Sequence, residues 1–386
     1  MTIATANVRT TAHMLAALVL LVGCTTTTGQ TSAAPPSPPP YEADAGRTWA
    51  LTHAEEFSGS TLDVENFSPC NPWSSSITDA GCGDSFNAGR EHFSPSGVTV
   101  GNGVATLGAT PMSPTVASNS CYSVTQNPTS TCDYRAGQLE GSAAPGLTAV
   151  GRPRPASDSL WAFTYGYLEA RWKLPSNAPG FFPAFWMADT DGQASGDPAQ
   201  RKFDYHWEID FEVPGTPAWP GQASDISPVW MASPVYMSYH YHNKVTNPDG
   251  GRDDSYRVNY DNTDAGKEFP KLDPRMNGDC PGGTYDYSLN WHTFAIDWSP
   301  THVRWWIDGK MCGGYTDPTG ATIPGPQTQM FPIIWLGVDQ RWNRSLSANL
   351  DSSCVLDSSL KPCNLTGTSG ARENLLVDYV RLWQQQ

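Results

Sequence analysis

The run Tyr205-His206-Trp207-Glu208-Ile209-Asp210-Phe211-Glu212-Val213 restricts the fold more than any other part of the chain. Successive side chains of a strand point to opposite faces. His206, Glu208, Asp210 and Glu212 therefore share one face, and Tyr205, Trp207, Ile209, Phe211 and Val213 share the other. An apolar face of this size has to be covered, and a second sheet packed against it does so. The acids are then left in a row on the opposite side. Like charges two residues apart repel, and no basic residue alternates with these, so the row is a poor device for stability alone.

Elsewhere the chain repeats the theme. Short β-rich runs closed by Gly, Pro, Asn or Asp include Gly166 to Leu174, Val235 to His242, Thr293 to Trp298, Val303 to Ile307, Ile333 to Val338 and Leu376 to Trp383. Ser299 to His302 suits a hairpin loop, and Asp308-Gly309 ends the returning strand. Gly (35) and Pro (33) are abundant beside 15 Trp, 15 Tyr and 13 Phe. Long helical periodicity is absent, so the pattern predicts an all-β fold, an antiparallel sandwich or barrel. Asn66 to His92, Thr110 to Ser159 and Tyr241 to Asp286 read as long irregular stretches, which either wall a site or decorate the surface.

Residues 1–23 read as an export signal. Arg9 supplies the positive region, and Met14 to Gly23 form an apolar core short for a membrane span. Leu21-Val22-Gly23-Cys24 resembles the bacterial lipobox, in which the signal is cut before a cysteine that becomes lipid-modified; an ordinary secretory signal is the alternative. Residues 24–48 read as a Thr/Ser/Pro-rich tether, and residues 49–386 as one domain with no second linker or repeat. Setting Cys24 aside from the nine cysteines leaves eight, an even number that suggests disulfides in an exported chain. Lys and Arg total 23 against 38 Asp and Glu, a net charge of -15 with no basic patch, which argues against a nucleic-acid partner. Membrane contact is expected only through the lipid anchor, and the protein is expected to be a monomer.

A row of carboxylates suits cleavage of a glycosidic bond. One ionised group attacks or stabilises an oxocarbenium-like carbon, and one protonated group donates to the departing oxygen. Repulsion along the row encourages one acid to keep its proton, and Asp210 between the glutamates helps divide the roles. Positions four apart on a flat strand lie about 13 Å apart, whereas a retaining pair sits about 5 to 5.5 Å apart. The strand must therefore bend so that the acid face is concave. A hard cation held by the acids and His206 is a second reading, and a solvated strand face a third. No cofactor is expected for the glycosidase chemistry.

Glu208-x-Asp210-x-Glu212 resembles the signature of glycoside hydrolase family 16, which includes laminarinases, lichenases and agarases. Tyr165 to Lys173, followed by Phe182-Pro183-Ala184-Phe185-Trp186-Met187, resembles the family's segment upstream of the acids. Trp291 to Trp298 with Val303 to Gly309 resembles its late hairpin, and Val377 to Trp383 its closing strand. The resemblance implies a jelly-roll β-sandwich of two antiparallel sheets with a concave substrate cleft. It also implies a retaining endo-glycosidase for β-1,3 or β-1,4 linkages of a β-glucan, with a transglycosylase, a galactan-cleaving enzyme or a non-catalytic lectin as alternatives. By motif position Glu208 is the nucleophile, Asp210 the assisting acid and Glu212 the general acid/base. Trp186 matches the cleft tryptophan on which a sugar stacks, a core indole being the other reading. His206, His240 and His242 are candidates for contacts to substrate, and Asp378 is the side-chain candidate for a structural calcium. The compact motif occurs in lichenases and transglycosylases, while many laminarinases and agarases carry one more residue before the last Glu, so the polysaccharide stays open.

Overall fold

The computed structural model describes residues 48–70, 91–111, 134–141, 160–175, 181–189, 207–213, 235–241, 256–259, 287–316, 329–338 and 374–386. All of them belong to the compact unit Pro38–Gln386. In chain order the strands are β1 (Trp49–Glu55), β2 (Glu91–Phe93), β3 (Val98–Gly101), β4 (Val104–Pro111), β5 (Tyr134–Ala136), β6 (Gln138–Glu140), β7 (Gly166–Lys173) and β8 (Phe181–Asp189). They continue with β9 (Trp207–Glu212), β10 (Tyr236–Tyr241), β11 (Tyr256–Asn259), β12 (His292–Trp298), β13 (His302–Ile307), β14 (Lys310–Thr316), β15 (Met330–Val338) and β16 (Asn374–Gln385). A single 3-10 turn, Pro95–Gly97, is the helical element among the described residues.

The strands build the two layers of a jelly-roll sandwich. One sheet runs β14-β13-β12-β7-β16-β4-β5-β2, with β1 beside β16 and β3 beside β4. The other runs β11-β10-β9-β8-β15-β6. Pairing departs from the expected antiparallel rule at one place, where β2 lies parallel to β5.

Turn chemistry accounts for two hairpins. Asn102-Gly103 (φ 54° and 76°) joins β3 to β4, and Asp308-Gly309 (φ 48° and 73°) joins β13 to β14. Positive φ at both central residues gives the turn whose twist matches paired strands. Asp308-Gly309 therefore does more than end a strand, since it feeds β14. The stretches expected to be irregular also contain strands: β2 begins at the end of the first, β5 and β6 lie in the second and β11 in the third. Three or four residues cannot display a period, and their partners hold them instead. Ser68 and Glu140, for example, exchange two backbone hydrogen bonds of 2.8 Å.

The chain changes sheets at Gly137, between β5 and β6. Its N–H donates to the Gly108 carbonyl in one layer (3.1 Å), and its carbonyl accepts from the Leu336 N–H in the other (3.1 Å). A Cβ there would lie 2.3 Å from the Gly97 carbonyl oxygen, so the corner closes only around glycine.

Between the layers lies the main core, to which Trp172, Phe185, Ile209, Phe211, Phe294 and Trp305 all belong. A smaller cluster on the far side of the second sheet holds Phe93, Trp186, Ile333 and Trp335. A third, on the outer side of the first sheet, holds Tyr167, Trp306 and Trp383. Beside the third cluster the charges are sealed in pairs. Asp297 accepts from His302 Nε2 at 3.1 Å and lies 3.6 Å from Arg304 Nη1, and His302 Nδ1 meets Ser299 Oγ at 2.8 Å. Buried charge costs several kcal/mol unless it is compensated in this way.

Candidate active site

Strand β9 is seated from both directions. Ile209, Phe211 and Val213 are buried in the main core as the alternation predicts, each contributing about 1.5 to 3 kcal/mol of apolar burial. Phe211 stacks on Phe185 of β8 (6.3 Å between centroids) and meets Phe294 of the opposite layer edge-on (5.3 Å). Across the core, Trp305 of β13 donates its indole N–H to the main-chain carbonyl of Asp210 at 2.9 Å. The Val213 N–H donates to the Pro183 carbonyl at 2.9 Å.

The acids hold the alternate positions of this strand. Asp210 is 1% exposed and Glu208 is half-buried. Register places Asp210 between Trp186 of β8 and Ser238 of β10, Glu208 between Ala188 and His240, and Glu212 between Ala184 and Tyr236. Directly opposed residues stand about 4.5 to 5.5 Å apart at Cβ, so Trp186 is the immediate neighbour of the central acid. Its indole is only 2% exposed, packed 5.0 Å from that of Trp335, which in turn stacks on Phe93 at 5.6 Å. Trp186 therefore lies opposite the central acid in register and is packed as a buried indole. Farther along this face, Gln138 and Glu140 of β6 are buried opposite Trp335 and Ile333.

Of the expected site residues, His240 is brought opposite Glu208 by the backbone register. His206, His242 and Cys24 lie outside the described residues, as do the export signal and all but the last residue of the tether. Sequence reasoning did not single out Gln138, Glu140 or Trp335. The signal for Trp335 was present in the alternation of Ile333 to Val338, which puts it on the same side as Ile333.

Asp378 sits on the outer side of the first sheet, where the register of β16 against β7 shifts between Val377 and Tyr379. That extra residue lets both Val377 and Val380 enter the core and leaves Asp378 facing out. Its carboxylate pairs with Arg171, whose guanidinium lies 5.0 Å from the Trp291 ring. Nearby, Arg381 forks onto Glu56 at 2.7 and 2.8 Å and covers Tyr379, whose hydroxyl donates to Glu169 at 2.8 Å. Burial lifts the Glu169 carboxyl above its ordinary range, partly opposed by the Tyr379 hydrogen bond and the Arg381 charge. Calcium prefers six to eight oxygens. Asp378 offers one carboxylate already paired with arginine, and no group of three His, Cys, Asp or Glu suited to a metal occurs among the described residues, so these side chains alone do not assemble the donor set that ion prefers.

Residues 282–349 match the model of glycosyl hydrolases family 16, a segment spanning β12 to β15 that does not include the acid row. No curated protein matches the sequence. Among solved structures, the β-porphyranase of the human gut bacterium Bacteroides plebeius superposes with a TM-score of 0.54 at 16% identity, covering 90% of this chain and 95% of that one. The κ-carrageenase of Zobellia galactanivorans superposes with a TM-score of 0.50 at 14% identity, covering 91% and 100%. The family match is confined to residues 282–349, and the two solved structures, at 14 and 16% identity, share the jelly-roll fold with this chain.

Proposed function

We propose that this protein is a retaining endo-glycosidase that hydrolyses β-1,3 or β-1,4 linkages of a polysaccharide, a β-glucan first among them. The observation that carries the reading is the seating of β9: Ile209 and Phe211 lock one side of the strand into the core, while Asp210 is held on the other side beside Trp186. In this reading the Glu208 carboxylate attacks the anomeric carbon as Glu212 protonates the departing oxygen. Water then releases the glycosyl-enzyme, with Glu212 taking its proton. Asp210 orients the pair from between them. Trp186 and Trp335 pack against each other as buried indoles next to the central acid and support its strand from that side. Export, which the disulfide-bonded state of Cys70 and Cys312 supports, and a lipid anchor at Cys24 complete the proposal.

The test is hydrolysis of laminarin, lichenan, agarose, arabinogalactan, porphyran and κ-carrageenan by the mature protein, alongside Glu208→Gln. The variant should lose turnover by about a thousandfold or more and keep its affinity for the polymer. Equal rates for variant and parent would remove Glu208 from the nucleophile role. Products longer than the substrate would favour the transglycosylase reading, and binding without cleavage by the parent would favour a lectin.

A further inference from the structure

We propose that Trp305 is a positioning residue of this site: its indole N–H fixes the main chain of Asp210 from across the sandwich, and with it the spacing at which the flanking glutamates act. The inference rests on the glycosidase reading above. Trp305 is fully buried, on a different sheet from the acids and 95 residues away in sequence, yet its Nε1 reaches the Asp210 carbonyl oxygen at 2.9 Å. Packed layers stand about 10 Å apart, a gap that an indole bridges with a polar atom at its tip and a phenyl ring does not. Next to Trp305 the register of β13 against β14 shifts between Trp305 and Trp306, the kind of bulge that re-aims a side chain. The apolar contacts under β9 are non-directional and tolerate a small slide of the strand. A hydrogen bond weakens steeply with angle and pins one carbonyl. What it pins is the residue midway between Glu208 and Glu212, in a reaction where a displacement of about 1 Å costs about a hundredfold.

The experiment compares Trp305→Phe with Trp172→Phe in the full-length mature enzyme. Trp172 lies in the same core, is equally buried, and its indole nitrogen makes no hydrogen bond, so its replacement removes similar volume without an anchor. Trp305→Phe is expected to lower kcat about tenfold or more with KM within about twofold. It is also expected to move the pH optimum, because the mutual distance of the carboxyls governs their titration. Trp172→Phe should lose comparable melting temperature while keeping the parent's pH profile. If Trp305→Phe fails to fold, β-(3-benzothienyl)alanine at position 305 replaces the N–H by sulfur at nearly constant shape and carries the same expectation. Matching kcat and pH profiles for the two Phe variants overturn the inference alone. A parent inactive on every polysaccharide overturns both the inference and the reading beneath it.

Discussion

Gly137→Ala should damage the fold far more than adding one methyl group suggests. The new Cβ would stand 2.3 Å from the Gly97 carbonyl oxygen, 2.9 Å from its carbon and 3.0 Å from Leu107 Cα, all backbone atoms that cannot rotate away. Ordinary contact begins at 3.4 Å, so the two segments must part by about 1 Å. They would part at the residue that bonds one layer through its N–H and the other through its carbonyl, each at 3.1 Å. Overpacking of about 1 to 3 kcal/mol and about 1 kcal/mol for each weakened bond give a total of about 3 to 5 kcal/mol. For a domain of this size that is a fall of about 6 to 10 °C in melting temperature. Thermal unfolding followed by tryptophan fluorescence measures it, with Gly101→Ala, which meets nothing within 4 Å, as the control. A Gly137→Ala melt within about 2 °C of the parent would refute the claim that this corner is closed by backbone contact.

Two further outcomes follow from the outer side of the first sheet. The raised pKa of Glu169 means that its contribution is fully present below the ordinary value of 4.5 and is lost as pH rises through the folded-state value. Glu169→Gln, which can still accept from Tyr379, should therefore flatten the fall of melting temperature between about pH 4 and pH 8, and unchanged slopes would contradict this. Because Arg171 already balances Asp378, dialysis against EDTA should leave the melting temperature within about 1 °C. A calcium site filled at a hundred times its Kd would instead add about 2.7 kcal/mol, a shift of several degrees.

Period-two alternation made β9 legible with its sides correctly divided, because Ile209 and Phe211 are large enough to be recognised as a buried face. β-rich composition closed by turn residues located β7, β10, β12, β13, β15 and β16 to within a few residues. It failed where strands are held by partners instead of pattern. β5 and β6 span three residues each around Gly137, and β14 contains Gly313 and Gly314, so neither looks like a strand by composition. In the candidate site, the row of Glu208, Asp210 and Glu212 could be read from residue type and spacing. The hydrogen bond from Trp305 could not, since it joins positions 95 apart and depends on how two layers face each other. Trp186 resisted assignment for a physical reason: an indole is equally suited to a cleft floor and a core, and here it is packed in a buried cluster opposite Asp210.

β16 lies inside the larger sheet, between β7 and β4, and among the described residues β1 pairs with it alone. Among the described strands β16 is the last in chain order. Until it arrives, β12 and β7 on one side and β4 and β5 on the other have no shared neighbour, and the first strand has nowhere to dock. The sandwich cannot close piecemeal from its amino end as the chain emerges. Its cooperative transition waits for the final strand, and a high share of distant pairings makes that transition slow.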